Sequence, residues 1–92
     1  MGKIVKYEPK LKDLEGTKPV TELLGKTVVI TAVDFGETHN GIEYAVFETS
    51  EGNRYRTWSK VLIDQLKDIQ NLLHKAEGVK VQLKKKNRYY TF

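Results

Sequence analysis

The sequence contains no cysteine. This absence excludes disulfide bonds, metal sites built from thiolates and a cysteine nucleophile. Long apolar runs are absent too, and none approaches the roughly 20 residues that a membrane-spanning helix needs. The N-terminus lacks the apolar segment of a secretion signal, so we expect a soluble chain inside the cell. A length of 92 residues predicts one domain with one core and little room for a deep active site.

Acidic residues are missing from the last part of the sequence, because all twelve lie at or before Glu77. The first 77 residues carry eleven basic and twelve acidic side chains, a net charge of −1, whereas the last fifteen carry +5. Charge concentrated in one element attracts polyanions more strongly than dispersed charge. The alternative is a lysine-rich hairpin that only improves solubility. The basic residues concerned are Lys80, Lys84, Lys85, Lys86 and Arg88.

Patterns of catalysis and metal binding are also lacking. His39 and His74 are far apart and do not have the spacing of metal ligands. Ser59 precedes an apolar helical pattern and lacks the surroundings of a nucleophile, so we interpret it as a helix N-cap. No glycine-rich phosphate loop and no pair of catalytic carboxylates is present. We therefore expect a protein that is not an enzyme and has no catalytic residue, no metal and no cofactor.

The residues that are present predict three strands followed by a helix. Segments 26–35, 42–50 and 54–58 are rich in β-branched and aromatic residues, and turn-forming residues separate them. After Ser59, apolar residues recur with helical spacing, and Gly78 is the predicted end of the helix. The helical stripe consists of Val61, Leu62, Leu66, Ile69 and Leu73.

Two more strands follow the helix. In the segment from Val79 to Lys84, apolar and polar residues alternate, and the sequence RYYTF closes the chain as a last strand. The resulting order is β-β-β-α-β-β. Five short strands must close on themselves or leave exposed edges, so we predict a partly open Greek-key barrel with the helix at one end. Residues 1–18 are predicted to be a tail or lead-in, and residues 19–92 a single domain.

Three segments resemble a known family: LLGKTVVITAVDF, GIEYAVFETSEGNRYRTWSKVLIDQL and KKNRYYTF. They are similar to the small OB-fold single-stranded DNA-binding proteins of microbes and their viruses. The resemblance implies a mostly β fold, a five-stranded OB-fold Greek-key barrel with a helix between strands three and four. It implies binding of single-stranded DNA in replication, recombination or repair, with RNA as the alternative ligand. The expected location is the cytoplasm, or the host cytoplasm if the protein is viral. No membrane is expected as a partner.

In such folds the ligand crosses strands two and three and is framed by two loops, here 36–41 and 84–87. The period of two along predicted strand three puts Arg54, Arg56 and Trp58 on one side and Tyr55 on the other. A hydrophobic core does not accept two unpaired guanidinium groups, so this side must point outward. Arginines pair with phosphates, and an indole stacks on any base.

Each of these assignments has an alternative. The two arginines also have possible partners in Glu43 and Glu48 on the neighbouring strand, and Trp58 can simply pack on the helix N-terminus. Tyr44 is expected to point outward because Ala45 and Phe47 are core candidates. Of the adjacent Tyr89 and Tyr90 one must point inward, and we predict Tyr89 outward. The candidate nucleic-acid-binding residues are Tyr44, Arg54, Arg56, Trp58, Lys84, Lys85, Lys86, Arg88 and Tyr89.

Two other functions are compatible with the sequence. One is an RNA-binding protein or a duplex-coating protein, although the acid-rich first 77 residues disfavour a general duplex coat. The other is a protein-interaction module whose basic hairpin meets an acidic partner. The sequence predicts no particular oligomeric state.

Overall fold

The computed structural model describes residues 16–92. Residues 1–15, most of the predicted tail, lie outside the described residues. The end of that segment belongs to the domain, because Lys18 and Pro19 pair in parallel with Tyr55 and Arg56. The elements are β1 Lys18–Pro19, a 3-10 helix Val20–Leu23, β2 Thr27–Glu37, β3 Glu43–Thr49, β4 Arg54–Thr57, α1 Lys60–Leu73, β5 Val79–Gln82, β6 Lys84–Lys86 and β7 Tyr89–Thr91.

Within residues 16–92 the fold is mostly β with one α-helix, as predicted. Five strands form one sheet in the order β1-β4-β3-β2-β5, and β6 and β7 form a separate hairpin. The long strand β2 joins the two halves of the sheet. Its first residues pair with β5 and its later residues with β3, and the register shifts between Ile30 and Ala32. Such an irregularity bends a strand, which lets β2 serve two partners.

The five-stranded sheet is not closed into a barrel. Among the described residues its outermost strands are β1 and β5. A parallel bridge between Leu24 and Leu83 is an additional link beyond the ladder of the sheet. The predicted closing strand, β7, pairs with β6 instead. The C-terminal strand β7 therefore forms a two-stranded hairpin with β6 and does not join the five-stranded sheet.

The helix begins as predicted and ends earlier than predicted. The Ser59 side chain accepts a hydrogen bond from the backbone N–H of Leu62 at 3.4 Å, which makes it the N-cap. The helix ends at Leu73, not at Gly78. Gly78 instead lies close to β2, because a Cβ there would be 2.5 Å from Cγ1 of Val29, which would have to shift.

The core lies between the helix and one face of the sheet. Three residues of the predicted helical stripe are buried, Leu62, Leu66 and Ile69, whereas Val61 and Leu73 are only half-buried. Ile63, which was not part of the predicted stripe, is buried as well. Val20 and Leu23 of the 3-10 helix join this core, but Leu24 is 46% exposed and does not. Alternation after the helix also holds, because Leu83 is buried while its neighbours Gln82 and Lys84 are exposed. The buried cluster is Val20, Leu23, Ile30, Ala45, Phe47, Tyr55, Leu62, Ile63, Leu66, Ile69 and Leu83.

Candidate nucleic-acid interface

The face of the sheet that points away from the helix is called the outer face here. Its residues on β3 and β4 are set by the antiparallel register, which pairs Glu48 with Arg54 and Val46 with Arg56. Tyr55 is 7% exposed and belongs to the core, so the residues on either side of it point outward. The predicted side of this strand is therefore confirmed. Arg54 and Arg56 are both half-buried.

Trp58 directly follows β4, and a large part of its side chain is accessible to solvent. Its side chain is 44% exposed, and its ring centroid lies 6.0 Å from that of Tyr44, with the planes tilted by 50°. The indole thus packs on a neighbour and still presents a surface to solvent. Tilted aromatic pairs of this kind are favourable and restrict the ring.

Tyr44 does not have the role that the sequence predicted. Its neighbours Ala45 and Phe47 are core residues as expected, but Tyr44 is itself only 2% exposed. The prediction of an exposed aromatic platform at this position is wrong. The reason is tertiary, because the indole of Trp58 packs against the tyrosine ring. Tyr44 supports the exposed ring instead of offering its own.

The two arginines of β4 differ in what they contact. The guanidinium of Arg56 donates hydrogen bonds to the backbone oxygen and the side-chain hydroxyl of Thr17. Arg54 has no hydrogen bond or ion pair within residues 16–92. Neither arginine forms the cross-strand ion pair that was the alternative, and Glu43 pairs with Lys67 of the helix at 3.4 Å. Arg56 therefore ties the sheet edge to the segment before β1, while Arg54 is available.

Acidic side chains on the outer face were not predicted as part of the site. Asp34 on β2 lies opposite Val46, and Glu48 on β3 lies opposite Ala32, and both acids are exposed. Together with the two arginines they make this face close to neutral. Ala32, Asp34, Val46, Glu48 and Arg54 line a shallow groove of about 190 Å³. Glu48 was considered only as an ion-pair partner of the arginines, because the register that aligns these positions is set by the pairing of distant strands.

The second region is the hairpin of β6 and β7, called the basic hairpin here. The three lysines lie in a strand, not in the predicted loop, because they pair with residues 89–91. The turn consists of Asn87, which has a φ of 53°, and Arg88. Left-handed backbone at this position is typical of two-residue hairpin turns. All four cations are exposed: Lys84, Lys85, Lys86 and Arg88.

The two tyrosines of the hairpin point in different directions, as predicted. Tyr89 is 45% exposed. Tyr90 is half-buried and packs against the core, and the Lys85 ammonium lies 5.6 Å from the centre of its ring. Tyr89 is thus the aromatic residue of the hairpin that remains accessible to a ligand.

The basic hairpin is attached on the core side of the sheet. Gln65 of the helix donates to the hydroxyl of Thr91 at 2.6 Å and accepts from the backbone N–H of Phe92 at 2.8 Å. The ring of Phe92 packs edge-on against Phe47, which is buried in the core. The sequence predicted a single groove, but the arginines and the tryptophan project from the other face. The site therefore consists of two separately anchored regions.

The loop between β2 and β3 was predicted to frame the ligand. Two hydrogen bonds join its ends. The backbone N–H of Thr38 donates to the backbone oxygen of Ile42 at 2.9 Å, and the backbone N–H of Ile42 donates to the hydroxyl of Thr38 at 3.2 Å. His39 is exposed in this loop, and His74 is exposed after the helix. Within residues 16–92 no group of three or more histidine or acidic side chains is arranged to hold a metal ion.

In the part of the chain that the structure describes, no helix has the length and apolar character needed to cross a membrane. No family model matches this sequence, and comparisons with curated proteins and with solved structures found no match.

Proposed function

We propose that this protein binds single-stranded DNA with little dependence on sequence and coats exposed strands, without catalysing a reaction. The observation that carries the proposal is Trp58, an indole that is 44% exposed and is held against the buried ring of Tyr44. A large exposed aromatic side chain is a suitable platform for an unpaired base. Stacking of this kind is worth about 1–3 kcal/mol per base and barely distinguishes one base from another.

The basic hairpin supplies the attraction to phosphates. Lys84, Lys85, Lys86 and Arg88 are exposed and have no acidic residue near them in the sequence. Each phosphate that a protein cation neutralises releases counterions, so binding weakens as salt increases. With about four or five phosphates neutralised, the logarithm of the binding constant should fall with the logarithm of salt concentration with a slope of about −3 to −3.5.

The arrangement of the elements supports an OB-type interpretation of the sheet. A helix lies between β4 and β5, and the outer faces of β3 and β4 carry the arginines and end at Trp58. These are the positions that the resemblance to OB-fold proteins implies for the ligand. We propose that the molecule is an open variant of such a barrel, in which the C-terminal hairpin is a separate cationic arm.

A competition experiment tests the proposal. Labelled oligo-dT is displaced by unlabelled dT, by rU and by duplex DNA, at about 50 and 200 mM salt. We expect dT to compete best and all affinities to fall with salt. Preferential displacement by rU would instead establish an RNA-binding protein, and preferential displacement by duplex a duplex-coating protein. If no oligonucleotide is retained even at low salt, a protein partner is favoured and the proposal fails.

The single tryptophan allows a direct measurement of stacking. Oligo-dT should quench the fluorescence of Trp58, because a stacked base contacts the indole. Trp58→Ala should weaken binding by about fivefold to 150-fold, the equivalent of one lost stacking interaction. Trp58→Phe is the matched control, since it keeps a ring and should retain most of the affinity. Unchanged fluorescence together with full affinity of the alanine variant would contradict stacking.

A further inference from the structure

The groove on the outer face is lined by acidic, basic and apolar side chains, and base stacking on Trp58 does not involve them. Its volume is about 190 Å³, and it crosses β2, β3 and β4. The side chain of Val46, which is 3% exposed, lies in its middle, and Ala32 leaves room on one side. Glu48 stands between Ala32 and Arg54 in the register of the three strands. An acceptor and a donor thus lie side by side at a small apolar depression.

Glu48 and Arg54 are directly opposed and yet do not satisfy each other. The ion pairs within residues 16–92 join Lys60 to Asp64 and Lys67 to Glu43. No side-chain hydrogen bond of Glu48 or Arg54 occurs there either. Opposite charges on neighbouring strands usually contribute to stability by pairing. Here both keep their hydrogen-bonding capacity for a ligand that offers donors and acceptors together.

The acidic residues argue against a phosphate in this groove. Asp34 and Glu48 are exposed at its rim, and both would repel an anion beside Arg54. The edge of a nucleobase is uncharged and presents donors and acceptors, so it does not meet this repulsion. A carboxylate binds best to two adjacent N–H groups, and a guanidinium to two adjacent acceptors.

Guanine is the base that offers both. Its N1–H and N2–H₂ donors are adjacent, and its O6 and N7 are the preferred acceptors for arginine. We propose that this groove recognises a guanine of the bound single strand, with Glu48 accepting from N1–H and N2–H₂ and Arg54 donating to O6 or N7. This inference rests on the proposed function and adds a base preference to it. Thymine, with one N–H donor, satisfies the carboxylate less well.

The groove on the outer face and Trp58 would contact different nucleotides of the bound strand. Arg54 and Trp58 are four residues apart along an extended strand, which corresponds to about 13 Å. Trp58 accepts any base, whereas the groove selects one. A DNA strand bound across the outer face would therefore be bound independently of base identity at most nucleotides, and one nucleotide would be recognised as guanine.

The test uses dT oligonucleotides of one length that carry a single central substitution. One central guanine avoids the four-stranded structures of G-rich DNA. We expect the dG oligonucleotide to bind about fivefold or more tightly than all-dT, the effect of one good contact to a base edge. Hypoxanthine, which lacks the N2 amino group, should bind with intermediate affinity, and adenine should bind no better than thymine.

Variants assign the preference to the groove. Glu48→Gln should abolish the preference for dG, because an amide offers one acceptor oxygen in place of the two of the carboxylate. Glu51→Gln, an exposed acid in the turn before β4, is the matched control and should keep the preference. A preference for dG that persists in Glu48→Gln would overturn this assignment.

The outcomes separate this inference from the proposed function. If all oligonucleotides bind with one affinity, single-stranded DNA binding stands and guanine recognition is wrong. If none of them binds, the proposed function fails and guanine recognition fails with it. Thermal unfolding of each variant shows whether a change in binding reflects a change in folding.

Discussion

The outer face and the basic hairpin differ in charge and in the way they are held. The outer face carries two acids and two arginines in fixed register on the strands of one sheet. The hairpin carries four cations and no acid, and it is held by hydrogen bonds to Gln65 and by packing of Tyr90 and Phe92 against the core. Charge of one sign gives affinity that depends on salt and not on sequence, whereas donors and acceptors in fixed positions give selectivity. Under the proposed function, the hairpin supplies the attraction to phosphates and the sheet supplies the discrimination between bases.

Neutralising the hairpin should have the largest effect on binding. The triple substitution Lys84→Gln, Lys85→Gln and Lys86→Gln should reduce affinity for oligo-dT by about tenfold or more at low salt and make the salt slope shallower by about 2. Binding titrations at several salt concentrations measure both quantities. The control is Lys26→Gln, Lys60→Gln and Lys75→Gln, which changes net charge equally. If both triple variants behave alike, the charge of the hairpin has no special role.

Detaching the hairpin should affect its order before it affects the sheet. Gln65→Ala removes both hydrogen bonds to Thr91 and Phe92 and should lower the free energy of unfolding by about 1–3 kcal/mol. Hydrogen exchange should accelerate in β7 and stay slow in β3 and β4. Gln70→Ala, which loses one hydrogen bond to the backbone of Val33, is the control. Equal acceleration in all strands would mean that the hairpin is not an independent unit.

The two arginines of β4 should separate binding from stability. Arg56→Gln loses the hydrogen bonds to Thr17 and should lower the free energy of unfolding by about 1–2 kcal/mol, because the donor is charged but half-exposed. Arg54→Gln should leave unfolding nearly unchanged and weaken binding of oligonucleotides. Denaturant titration and binding assays on both variants measure the difference. Identical behaviour of the two would show that their different contacts do not matter.

The smallest expected effect on binding concerns the adjacent tyrosines of the hairpin, Tyr89 and Tyr90. Tyr89→Ala should cost about 1 kcal/mol of binding free energy, at the low end for stacking on an exposed ring, and should not affect folding. Tyr90→Ala should instead reduce stability, because its ring packs on the core. A stable Tyr90→Ala variant that loses affinity would reverse the assignment of the two rings.

Much of the local structure was predictable because it depends on patterns of neighbouring residues. Ser59 directly precedes the apolar helical pattern, and this position predicted the N-cap that the hydrogen bond from Leu62 confirms. The alternation around Tyr55 predicted which side chains of β4 point outward. The end of the helix was predicted wrongly, because Gly78 was interpreted as a helix terminator, whereas it lies five residues beyond the helix and close to the side chain of Val29. A close approach between distant segments leaves no local signal.

The candidate site was predictable in composition but not in arrangement. The exposed lysines and Trp58 follow from charge distribution and from the period of a strand. The burial of Tyr44 does not, because it depends on which ring packs against it from the adjacent strand. The attachment of the hairpin to Gln65 and the groove beside Glu48 were likewise missed. Each of these features joins residues from separate elements.

The sequence by itself determined the mostly β character, the single helix, the outward side of β4 and the segregation of positive charge near the C-terminus. These properties follow from local periodicity and composition, which act over a few residues. Only the tertiary structure decided that β7 pairs with β6, that the sheet stays open and that acids and arginines share one groove. Backbone pairing between strands is chosen by competition among distant partners, and a local pattern does not record which partner wins.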